Sequence, residues 1–197
     1  MELKKKTNLE DFITEVTLGN DKNFDNIFNL ALEQVFSQSF LKKINNSIKR
    51  KIRFKEFNNR NQNIIAFNRG NAIYINKIPF EKLAVKSKIQ YILHEFIHIL
   101  QRKKKIFFFK DFKEINDLTD NLVPIMEKHL VKPLQMFLTK RNLNIGPGGK
   151  HEILGYLMNN SIDWTALSKE GKKLFIDELK KSQIFNLSHP FWRNRLF

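Results

Sequence analysis

His94, Glu95 and His98 stand in the string His94-Glu95-Phe96-Ile97-His98, two imidazoles four residues apart with a carboxylate directly after the first. On a helix, positions i and i+4 lie on one face about one turn apart, so both rings can reach a single metal ion. Zinc is the ion such a pair suits, and a glutamate beside its open side can take a proton from water. The chemistry this spacing points to is hydrolysis of an amide. With five histidines and 12 glutamates in 197 residues, chance would give the string in roughly one such sequence in a hundred. The plain alternative is a pair of core histidines with ordinary hydrogen-bond partners and a surface glutamate.

A ligand pair works only on an element that fixes its rotamers. The segment from Ser87 to Gln101 has no Gly or Pro, and Ile89, Ile92, Leu93, Phe96, Ile97 and Leu100 recur at helical spacing. That is a core-facing stripe. His94 and His98 fall beside it, on a row with Tyr91 and Gln101. The spacing predicts a helix over residues 80–103.

Hydrolytic zinc sites usually have three protein ligands and one position left for water. No histidine occurs between His98 and His129, so the third ligand is expected on a later helix. The best local candidate is Glu152, at the start of a predicted helix from His151 to Asn159 that follows the turn Gly146-Pro-Gly-Gly149. Glu152, Gly155, Tyr156 and Asn159 share one face of it, and Gly155 would admit the close approach of another backbone, such as that of the motif helix. The plain alternative for Glu152 is a surface carboxylate in a first helical turn, where negative charge is favoured. Asp117, Asp120 and His129 on a predicted second long helix, His151 next to Glu152, and His189 in the tail remain alternative third ligands. Glu127 shares the second helix, which reads more simply as a solvated face.

His94-Glu95-Phe96-Ile97-His98 together with Glu152-Ile-Leu-Gly-Tyr156 resembles the zincin metallopeptidases, in particular the small gluzincin-like ones. Ala72-Ile-Tyr-Ile75, read as an edge strand ahead of the motif helix, adds to the likeness, which covers roughly residues 50 to 160. The gap from His98 to Glu152 is longer than in thermolysin-like enzymes. The resemblance implies a zincin-like α+β fold with Zn2+ held by His94, His98 and Glu152. It implies Glu95 as general base, Tyr156 as hydrogen-bond donor to the developing oxyanion, and an endopeptidase acting on a protein or peptide substrate. A zincin-like binding or structural module with little or no turnover is the second reading. Retention of Glu95 and both histidines favours the enzyme.

The remaining pattern is mostly helical. Residues 1–50 read as a helical part, with Phe24, Ile27, Phe28, Ala31, Leu32, Val35 and Phe36 at three and four spacing. Residues 51–78 read as a small antiparallel sheet: short runs around Phe54, over Ile64–Phe67 and over Ala72–Ile75, separated by Asn- and Gly-rich turns. Residues 113–197 read as a helical C-terminal part. It opens with a helix from Lys113 to Lys140 that Pro124 and Pro133 kink or divide. It closes with a helix from Lys169 to Lys181 capped by Ser168 and an aromatic coil around His189-Pro-Phe-Trp-Arg193.

With 197 residues the chain fits one domain with a substantial core. The absence of cysteine removes disulfides and thiolate metal sites, leaving His, Asp and Glu as ligands. No apolar leader or membrane-length run is visible, so a cytoplasmic location with no membrane partner is expected. The net charge of +15 favours anionic partners, nucleic acid among them, although no nucleic-acid-binding motif is present and an AT-rich codon bias would also inflate lysine.

Overall fold

In the computed structural model, residues 21–47, 53–57, 65–69, 72–101, 113–132 and 152–196 are described. The Arg102–Lys105 run, Pro133, the Gly146–Gly149 turn and His151 lie outside them. The architecture is mostly helical with one small three-stranded sheet: α1 (Asp21–Val35), α2 (Gln38–Ser47), β1 (Arg53–Phe57), β2 (Ala66–Arg69), β3 (Ala72–Asn76), α3 (Lys77–Glu81), α4 (Val85–Leu100), α5 (Lys113–His129), α6 (Ile153–Met158), a 3-10 turn (Trp164–Ala166), α7 (Lys169–Ser182) and α8 (Pro190–Leu196). No described helix is long and apolar enough to cross a membrane.

The motif helix α4 is the centre of the packing. Its stripe of Ile89, Ile92, Leu93, Phe96, Ile97 and Leu100 is buried throughout. Phe28 of α1 meets Phe96 edge-on at 4.9 Å, and Phe36 meets the same ring at 6.1 Å. Such pairs add about 0.5–1.5 kcal/mol beyond the area they bury. The face opposite α1 is covered by α6, which brings Ile153, Leu154, Leu157 and Met158 into the core.

The helix is shorter than its periodicity predicts. It begins at Val85, and the residues before it form the separate short helix α3. Between the two, the Leu83 amide bonds to Phe80, and the amides of Ser87 and Lys88 both turn to the Ala84 carbonyl. A new first turn therefore starts at Ala84, with no Gly or Pro to mark it in the sequence. Pro79 sits inside the first turn of α3, where its missing N–H has no intrahelical partner to lose.

The sheet is mixed rather than antiparallel. Its order is β1-β3-β2, with β1 parallel and β2 antiparallel to β3. β3 is thus the central strand, not the edge expected of Ala72–Ile75. It is the most apolar of the three, with Ile73 and Ile75 fully buried, and an interior position suits it. β2 carries Asn68 and Arg69 and takes an edge, where polar side chains are tolerated. It also runs two residues later than the expected Ile64–Phe67, which turns Asn68 toward α4.

Two further expectations give way in the C-terminal part. The helix begun at Lys113 ends at His129, where Leu130 pairs with Leu167 instead of extending the helix. Pro124 lies inside α5. The tail is not coil: Pro190–Leu196 is helical, with Pro190 at its first position and the His189 Nδ1 accepting the Phe191 amide at 3.1 Å. Trp192 of this helix is fully buried and donates its indole N–H to the Val35 carbonyl at 3.0 Å, pinning the tail to α1. The Ser168 cap does form, its hydroxyl accepting the Gly171 amide at 3.0 Å.

Candidate metal centre

α4 presents His94, Glu95 and His98, and α6 presents Glu152 from the residue just before its first turn. The Nε2 atoms of His94 and His98 lie 3.0 Å apart. Glu152 Oε2 stands 3.3 Å from the first and 3.1 Å from the second. Among the described residues these three form the one group of His, Cys, Asp or Glu side chains arranged to hold a metal ion. Donor atoms about 2.0–2.1 Å from one tetrahedral ion stand roughly 3.3 Å from one another, so the spacing fits such an ion.

The other candidates are elsewhere. Asp117 and Asp120 are exposed on α5. His129 bonds the Ser168 hydroxyl at 3.3 Å, and His189 caps α8.

Close packing of α4 on α6 depends on Gly155. A Cβ there would lie 2.8 Å from His94 Cε1 and 2.9 Å from Nδ1. What needs the missing side chain is thus the imidazole itself, rather than a neighbouring backbone. Tyr156 stands edge-on to the same ring, with centroids 5.4 Å apart.

Charge in the cluster is strongly coupled. Burial favours neutral His98, but the hydrogen bond and charge of Glu152, helped by Glu95 and Gln101, outweigh it and raise the His98 pKa. Burial favours a protonated Glu152, yet hydrogen bonds and charge from the two imidazoles push its pKa well below the usual carboxylate range. The Tyr156 phenol is pushed up by burial and by the negative Glu152, so it keeps its proton at neutral pH.

Several groups that orient the cluster are hard to see in sequence. Asn68 of β2 donates its amide to Glu95 Oε2 at 2.6 Å. Its place in Asn68-Arg-Gly-Asn71 reads as a turn, and only the later register of β2 aims it inward. Gln101 bonds His98 Nδ1 at 3.0 Å, as its place on the histidine row allows.

Asn159, on the Glu152 face of α6, has its amide nitrogen 3.2 Å from His94 Nδ1. In that orientation His94 would carry its proton on Nε2, and the buried Asn159 Oδ1 has no partner among the described residues. Half a turn of the amide gives Oδ1 the Nδ1 proton and frees the Nε2 lone pair for a metal. The orphaned oxygen is therefore what a metal-binding His94 needs. No family model, curated protein or solved structure matches the chain.

Proposed function

We propose that the chain is a zincin-type metallopeptidase that cleaves internal peptide bonds. One observation carries the reading: a carboxylate from a distant helix, Glu152, meets both histidines of a His-Glu-x-x-His helix at 3.1 and 3.3 Å. Two neutral imidazoles and one carboxylate are a ligand set that zinc accepts, with a fourth position left open. When bound, the ion would supply Lewis acidity, polarising the scissile carbonyl and acidifying water.

The remaining chemistry belongs to the chain. Glu95 is one residue from His94 and largely buried, so its carboxylate is held at the cluster and away from bulk solvent. It accepts the proton of the attacking water and returns it to the leaving amine. Asn68 holds Oε2, which leaves Oε1 for that proton. Tyr156, protonated at neutral pH, donates toward the oxyanion as it forms. β2 lies at the edge of the sheet beside α4, and an extended substrate would add to it as a further strand.

The test is cleavage of a mixed peptide library by the zinc-loaded protein, read by mass spectrometry. Wild type should cut within peptides; Glu95→Gln should keep zinc and lose the cuts; His98→Ala should lose both. Equal cleavage by wild type and Glu95→Gln, or none by a fully zinc-loaded wild type, would sink the proposal.

A further inference from the structure

A chain of buried hydrogen bonds runs from His98 away from the metal cluster and into α5. His98 Nδ1 meets Gln101 Oε1 at 3.0 Å, Gln101 Nε2 donates to Thr119 Oγ1 at 3.2 Å, and Thr119 Oγ1 donates to the Ile115 carbonyl at 2.9 Å. Gln101 is 9% exposed and Thr119 1%, so water has little access to replace either link.

The chain has a direction. A hydroxyl has one proton, and that of Thr119 goes to Ile115. Toward Gln101 it therefore offers only lone pairs, which selects the amide nitrogen of Gln101. The amide oxygen must then face His98, and Nδ1 must carry the proton. With Nδ1 protonated, the lone pair of a neutral His98 is on Nε2, the atom that faces His94 and Glu152. The reverse polarity would draw the Thr119 proton off Ile115, turn the amide nitrogen to Nδ1 and leave Nε2 protonated.

We propose that Gln101 and Thr119 are positioning residues that hold His98 in its metal-binding tautomer, and that Thr119 sets the polarity from a different helix. The inference rests on the metal-site reading above. It makes Thr119, about 20 residues from the motif and with no direct bond to it, a determinant of zinc affinity. Partners of this kind typically contribute 10–100-fold to metal binding.

The experiment measures zinc affinity by competition with a chelator, with circular dichroism to check the fold. It adds proton NMR of the zinc-loaded protein for an exchange-protected His98 Nδ1–H signal. Thr119→Val should weaken zinc binding by about 10–100-fold and lose the protected proton. Thr119→Ser, which keeps the hydroxyl, should restore both. Gln101→Glu in the Thr119→Val background should also recover affinity, because a carboxylate accepts the Nδ1 proton whichever way it is turned. A structural role for Thr119 alone would not be rescued in this way.

Wild-type affinity in Thr119→Val, or no recovery in the Gln101→Glu background, would overturn the proposal while leaving the metal site standing. If wild type takes up no zinc at all, the metal site falls and the relay falls with it. His98→Ala separates these cases: it should abolish binding in the first and have nothing to abolish in the second.

Discussion

At the scale of single residues, the site is a set of short reaches that tolerate little added volume. Gly155 makes this testable because two effects oppose each other there. Alanine is favoured over glycine inside a helix by up to about 1 kcal/mol, but its Cβ would enter the His94 ring at 2.8 Å. Overpacking of this kind costs about 1–3 kcal/mol. If His94 turns aside to relieve it, zinc affinity in Gly155→Ala should fall about five- to a hundredfold with helix content unchanged, as chelator competition and circular dichroism would read. Asn68→Ala separates a different function. It removes the 2.6 Å bond to Glu95 but none to the cluster, so zinc affinity should hold while peptide turnover drops by about tenfold or more. Loss of zinc in that variant would mean that Asn68 supports the ligands rather than the base. The residues legible in the sequence were those tied by helical spacing: His94, Glu95 and His98 on one helix, Glu152 and Tyr156 on another. Asn68 and Thr119 lie on other elements, and no spacing along the chain encodes their approach.

Among the elements, periodicity located the helices better than it located their neighbours. The apolar stripe of α4 and the Ser168 cap of α7 could be read directly, because each is set by residues within a turn or two. The sheet could not, since which strand takes the centre depends on competition between strands. The buried Ile73 and Ile75 put β3 inside and leave polar β2 at the edge. The tail was misread because its helix is only seven residues long and is stabilised by tertiary contact rather than propensity. Trp192 is that contact. Its indole is fully buried, stacks near Phe185 at 4.8 Å and bonds Val35. Trp192→Ala should therefore destabilise the zinc-free protein by about 3–5 kcal/mol in urea unfolding. Trp192→Phe keeps most of the volume and loses the hydrogen bond, at a smaller cost of about 1–2 kcal/mol. Equal losses in the two variants would place the stabilisation in the hydrogen bond instead of the packing.

For the molecule as a whole, the cluster couples stability to protons and to metal with opposite signs. In the metal-free protein the His98 pKa is raised, so its contribution is complete below the ordinary value of 6.5 and is lost as pH rises through the raised value. The Glu152 pKa is depressed, so its contribution is present above the ordinary value of 4.5 and is lost as pH falls through the depressed value. The pair thus stabilises the metal-free fold most between about pH 4.5 and 6.5. Zinc needs a neutral His98 and must displace its proton, so affinity should rise with pH over the range where the ion pair weakens. At a free zinc concentration about 100 times the Kd, binding adds about 2.7 kcal/mol. For a chain of this length that is roughly 5–10 °C in melting temperature. The gap between zinc-loaded and zinc-free melting temperatures should be narrow near pH 5.5 and widen to about that size by pH 8. His98→Ala should close the gap at every pH. A gap that stayed constant from pH 5.5 to 8 would mean that no proton leaves when the metal enters, which a His98 paired with Glu152 at 3.1 Å does not allow.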